Sequence, residues 1–302
     1  MRHARIKPDY MDTWHHCYNR TVGTKLDRPF GDVEKEEFVR TLKRVAKLYT
    51  IRIVSYQVMS NHFHLLIHAP CKLPSEKETC RRYRSFYRGK RTLTPGTPLC
   101  RTWQARLRDV SWFMRHLQQL FASWFNRTRP IRRRGSLWAD RFENVVLEKG
   151  IAVWRCWNYV EHNPVRAKMV LNAADYRFCS YGVWTQRGRH PFEAHLNEIP
   201  LPMLVGRSGI NSLDQVYKLL DASMSARAEL NRQKTGFLLT AQRRVRYWVD
   251  GCVIGSELFI RDIMNRRYDG EDIAGRRLVR SADTDRGQAL YAWRRLRNLP
   301  DS

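Results

Sequence analysis

Met59-Ser60-Asn61-His62-Phe63-His64-Leu65-Leu66-Ile67 is the stretch on which the reading of this chain turns. Ahead of it, Ile51 to Met59 is rich in β-branched and aromatic residues. Ser60-Asn61 has turn chemistry, and His62 to Ala69 resumes the strand pattern, so the segment reads as a β-hairpin. Side chains alternate faces along a strand. His62, His64 and His68 therefore share one face and Phe63, Leu65 and Ile67 the other; the apolar face is expected to be buried and the imidazoles to point elsewhere. Two imidazoles two residues apart can share a divalent ion, each through a neutral ring nitrogen. Taken alone H-x-H is a weak signal, because surface or hydrogen-bonded histidines account for most such pairs. His68 lies roughly 7 Å further along at strand rise and is left out of the candidate metal site.

Upstream, Thr13 to Arg20 reads as a first strand and Asp32 to Tyr49 as a helix capped by Asp32. Phe38, Leu42, Val45, Ala46 and Tyr49 form its buried stripe. Downstream, residues 71–108 lose periodicity around Pro74, Pro95 and Pro98, which suggests an insertion or extended loop. Within it Arg81, Arg82, Tyr83, Phe86 and Tyr87 fit base stacking and a partly packed basic helix equally well. Val110 to Phe125 is a well-formed amphipathic helix.

A basic loop from Arg127 to Gly135 then leads into a predicted strand from Leu137 to Leu147. Gly150 introduces a helix predicted to stop at Asn163, ahead of Pro164. On that helix Tyr159 and Asn163 stand one turn apart on the same face, a phenol and a polar ligand projecting together. A phenol attacks phosphorus poorly unless the phosphate is polarised; a metal held by His62, His64 and the Asn163 amide oxygen would do this. The plainer alternative for Tyr159 is an amphipathic core tyrosine. His162 is expected at the surface.

The chain has 302 residues, with 55 Lys and Arg against 29 Asp and Glu, a formal charge of +26. That excess calls for a polyanion, and nucleic acid leads because no membrane-binding segment accompanies the charge. Arg132, Arg133, Arg134 and Arg141 are the candidate DNA phosphate contacts, taken as a cluster. No stretch approaches the length needed to span a bilayer and the N-terminus lacks an apolar run, so no membrane partner and an intracellular, bacterial-type cytoplasmic location are expected. The seven cysteines show no C-x-x-C pair and read as buried or incidental thiols. Residues 1–200 are expected to form a catalytic domain with an insertion at about 71–108. Beyond Pro200 the composition changes, with helical patterns at 212–232 and 256–267, so 201–302 reads as a separate basic, mainly helical C-terminal module.

Four stretches together resemble the HUH-type single-tyrosine transposases, in particular their REP-associated branch. They are Met59 to Ile67, Phe113 to Asn126, Gly135-Ser136-Leu137-Trp138-Ala139-Asp140-Arg141-Phe142, and Tyr159-Val160-Glu161-His162-Asn163-Pro164-Val165-Arg166-Ala167. The resemblance implies an α+β, ferredoxin-like antiparallel sheet with packed helices, the paired histidines on a central strand and the tyrosine on a helix alongside. It implies a transposase that cleaves and rejoins hairpin-containing single-stranded DNA with Mg2+ or Mn2+. Tyr159 would be the nucleophile, leaving a 5′-phosphotyrosine and a free 3′-OH, with His62, His64 and Asn163 as metal ligands. Relatives often carry glutamine where Asn163 stands, and both monomers and homodimers occur among them. The stretch 71–108 and the region after 200 depart from the family pattern. The main rival is a hairpin-DNA-binding protein without turnover, whose mark would be loss of a catalytic residue; His62, His64 and Tyr159 are all present. An RNA-binding ferredoxin-like module would instead place aromatics on the sheet face that here carries histidines.

Overall fold

Strand β1 (Thr13–Arg20) is followed by helix α1 (Asp32–Leu48), which crosses over to β2 (Arg52–Val58); the tight turn at Ser60-Asn61 then reverses the chain into β3 (His62–Ala69). β3 lies between β1 and β2 and is antiparallel to both. β1 and β2 are thus parallel, which is why a helical crossover must join them. Helices α2 (Glu76–Phe86), α3 (Pro98–Arg108) and α4 (Val110–Arg127) lead to β4 (Glu143–Leu147), antiparallel to β1 on its free side. The order β2-β3-β1-β4 is the ferredoxin-like arrangement, and the protein is α+β with a mostly antiparallel sheet and packed helices. The computed structural model describes residues 5–24, 26–130, 134–233, 248, 251–268, 278–283 and 289–294.

The two sheet faces are covered differently. Phe63 points toward α1 and α4, where Phe38 stacks on it at 4.6 Å between centroids and Phe121 closes on Phe38 at 5.2 Å. The other face receives α5 (Ile151–Arg166), which packs against β2 and β3. After it come a 3-10 turn (Ala173–Asp175), α6 (Ser180–Arg187), α7 (Glu193–Leu196), α8 (Leu201–Val205) and α9 (Leu213–Gln233). β5 (Gly251–Gly255) then joins β4 in parallel, Val146 opposite Val253, and is followed by α10 (Glu257–Tyr268), β6 (Leu278–Asp283) and β7 (Ala289–Arg294). Among the described residues seven strands form one sheet in the order β2-β3-β1-β4-β5-β7-β6. The region after 200 therefore supplies strands as well as helices.

Several local expectations are corrected. Residues 71–108 are two helices rather than a loop: the Ser75 and Thr97 hydroxyls accept from the Glu78 and Cys100 amides as N-caps, and Pro98 sits in the first turn of α3. Tyr83 and Phe86 are buried, so of the two roles open to them packing is the one they fill. Helix α1 is capped at Gly31, not Asp32; the Gly31 N–H donates to Glu34 Oε2 at 2.8 Å. The strand before α5 is only Glu143–Leu147, with one isolated bridge further upstream between Thr21 and Trp138. Pro164 does not end α5, which runs to Arg166. Its missing N–H withholds one bond, the one to the Val160 carbonyl a turn earlier, while beyond it the Asn163 and Pro164 carbonyls accept from Ala167 N and Met169 N at 2.9 Å each. On the histidine face of β3, His64 and His68 are buried too and His62 is half-buried, and His162 is also buried. No described helix is long and apolar enough to cross a membrane.

Candidate active site

Register brings the histidines together with residues of β1. Tyr18 is opposite His64 and Arg20 opposite His62, so His16 and Tyr18 share the α5-facing surface with the H-x-H pair. The His62 and His64 rings stand perpendicular with centroids 5.2 Å apart. The Tyr159 ring approaches His64 edge-on at 5.8 Å and His16 at 5.7 Å. On its other side Tyr159 stacks on Trp248 at 5.7 Å, and it is 7% exposed. His68, at the far end of β3, is bound to Asp12 at 3.3 Å and stays apart from this cluster.

Burial governs the charge state here. It holds the His16 and His62 imidazoles at about 4 and His64 well below its ordinary value, so all three are neutral at pH 7. Neutral rings are the form that ligates metal. The Tyr159 phenol is pushed up by burial, against which the nearby Arg166 guanidinium pulls it down. Arg166, whose guanidinium carbon lies 5.0 Å from the Tyr159 ring centroid, belongs to this cluster although the sequence reading missed it. Its signal was the spacing 159, 163, 166, which lies along one helix face.

The donor set fits an open divalent site, not a closed cage. His62 Nδ1 is bound to Asn61 Oδ1 at 2.7 Å and His64 Nδ1 to His16 at 2.9 Å, which leaves each ring its Nε2 edge for a ligand. Asn163 is under-bonded: Oδ1 accepts only a long 3.4 Å bond from Arg166, and buried Nδ2 has no hydrogen-bond partner among the described residues. Gln57, opposite His64 on β2 and fully buried, likewise has both amide atoms without a partner there. Orphaned buried amides are costly, so two of them on this face mark a place built for polar company. Among the described residues no three His, Cys, Asp or Glu side chains gather as a metal cage.

The basic loop reaches the same end of the sheet. Ala139 N donates to Arg20 O and Val22 N to Leu137 O, which lays residues 137–139 beside the strand end that pairs with His62. Arg134 and Arg141 are exposed; Arg132 and Arg133 lie outside the described residues. Arg129, in the same loop, is instead held at 2.6 Å by Glu34.

No protein-family profile and no curated protein matches this sequence. Among solved structures the chain is similar to a REP-associated tyrosine transposase bound to a REP hairpin. The identity is 16%, the TM-score 0.40, and the match covers 64% of this chain and 88% of that one.

Proposed function

We propose that this protein is a single-strand DNA nuclease and strand transferase of the transposase type, acting on hairpin-containing DNA through Tyr159. The observation that carries the reading is the convergence of His62, His64, Asn163 and Arg166 around one phenol on one sheet face. In the proposed step the Tyr159 oxygen bonds to phosphorus as the P–O3′ bond breaks, giving a 5′-phosphotyrosine. The phenolic proton ends on the departing 3′-oxygen. Arg166 stabilises negative charge on the phenol oxygen, and Asn163 orients it. His62, His64 and Asn163 would hold Mg2+ or Mn2+, which supplies polarisation of the phosphate oxygens. Arg134 and Arg141, both exposed, would hold flanking phosphates. Hairpin DNA as the substrate rests on the sequence motifs.

A second reading, hairpin binding without turnover, draws on the burial of Tyr159 beneath Trp248. One assay separates them. Protein with Mn2+ and a labelled hairpin oligonucleotide should give a covalent adduct that survives a denaturing gel, and Tyr159→Phe should abolish it. Tight hairpin binding with no adduct in the wild type would establish the second reading instead.

A further inference from the structure

His16 is absent from the H-x-H pattern, fully buried, and bonded at both ring nitrogens. Its Nδ1 lies 2.8 Å from the Trp248 carbonyl oxygen and its Nε2 lies 2.9 Å from His64 Nδ1. The His16 and His64 planes differ by only 10° with centroids 5.1 Å apart, so the rings meet edge to edge, as an in-plane N–H···N bond requires.

The direction of this chain is decided at one end. A carbonyl oxygen only accepts, so the His16 proton sits on Nδ1. In a neutral ring His16 Nε2 is then a bare lone pair, and the proton in the second bond must belong to His64 Nδ1. His64 Nε2 is left bare. We propose that His16 is a positioning residue for His64: the Trp248 carbonyl, acting through His16, fixes His64 in the tautomer that presents an Nε2 lone pair to a divalent cation. Metal-binding histidines ordinarily donate their second N–H to a carboxylate, carbonyl or water. Here the acceptor is a second imidazole, oriented by a backbone carbonyl some 230 residues further along the chain, so that residue 248 conditions a ligand on β3. The cation itself rests on the function proposed above, whereas the tautomer does not.

The test is a long-range 1H–15N correlation spectrum of the full chain with 15N-labelled histidine, in EDTA at pH 7.5, with His64 assigned by its loss in His64→Gln. The expected pattern is a protonated Nδ1 and a bare Nε2 on both His16 and His64. An Nε2-protonated His64 in the wild type overturns the proposal without any variant having to fold. His16→Phe removes the acceptor and should move His64 toward the Nε2–H form, weakening Mn2+ binding, read by titration calorimetry, about 10- to 100-fold. His16→Gln, whose amide can donate to Trp248 and accept from His64, should restore both. A folded His16→Phe variant with unchanged His64 shifts and unchanged Mn2+ affinity also overturns it. Wild-type protein with the expected tautomer but no Mn2+ binding would leave the relay standing and sink the metal part of the proposed function.

Discussion

The Arg166 guanidinium lies 5.0 Å from the centroid of the Tyr159 ring, two helical turns along the same face of α5. Burial raises the phenol's pKa, and Arg166 is the first of the groups that oppose it. A charge held where negative charge develops on the attacking oxygen contributes most in a site from which water is excluded. Arg166→Ala should therefore slow adduct formation about a hundredfold and shift its pH dependence upward, with little change in melting temperature. Arg166→Lys should recover part of the rate. Native-like rates in folded Arg166→Ala would remove Arg166 from the chemistry.

Glu161, two residues from Tyr159, points the other way and locks α5 to the sheet. Its Oε1 accepts from Ser55 Oγ at 2.7 Å, Trp157 Nε1 at 3.2 Å and the Ser180 hydroxyl, and its Oε2 from Tyr181 N at 3.1 Å. Burial raises its pKa while these donors oppose the rise. Glu161→Gln must turn an NH2 group toward the Tyr181 N–H, which should cost about 2 kcal/mol in urea unfolding. Glu161→Ala orphans every donor and should cost about 3–5 kcal/mol. Losses below about 0.5 kcal/mol in both variants would show that the network is dispensable.

What was legible followed from local spacing. The H-x-H hairpin, the strand Thr13–Arg20 and the face shared by Tyr159 and Asn163 are each periodicity read directly. Arg166 was hidden by one local rule: with the helix expected to end before Pro164, residue 166 had no face to share. His16 and Gln57 join the site only through cross-strand register, which no single strand reveals. Trp248 arrives from a distant part of the chain with no periodic signal of its own. The helices in 71–108 were masked by prolines that in fact lie before α2 (Pro74), between the helices (Pro95) and at the first residue of α3 (Pro98), while their capping hydroxyls at Ser75 and Thr97 were the signal overlooked.

Two buried histidines, His15 and His190, and the half-buried His116, all away from the candidate site, set an acid limit on stability. Burial lowers His15 and His116 to about 4 and His190 to about 3. The unfolded chain takes up protons at these rings near the ordinary pKa of about 6.5 while the folded chain does not. Stability from these groups is therefore complete above that value and is lost as pH falls from 6.5 toward 4. Each should cost about 1 kcal/mol between pH 7 and pH 5.5, a loss that urea titrations at the two pH values would read. His116→Gln should flatten the slope. A protein equally stable at both values would contradict the neutral state of these rings.

The position of α5, and with it Tyr159, depends on a backbone-to-backbone contact with the end of α8. Gly206 has φ +67°, and a Cβ there would lie 2.7 Å from Ile151 N and 3.1 Å from Gly150 C, while Gly150 N donates to Met203 O at 2.6 Å. Neither neighbour can rotate away, so Gly206→Ala must push the start of α5 or open the turn. Gly209 separates this from conformational strain alone: its φ is +78°, yet nothing lies within 4 Å of an added Cβ. Gly209→Ala should cost about 1 kcal/mol, the left-handed penalty. Gly206→Ala should cost at least about 1–2 kcal/mol beyond that from steric overlap. Its folded fraction should also form the adduct more slowly, because a shift of α5 along its axis carries Tyr159 away from His64. Equal losses in the two alanine variants, with equal adduct rates, would show that the α5–α8 contact does not set the tyrosine's position.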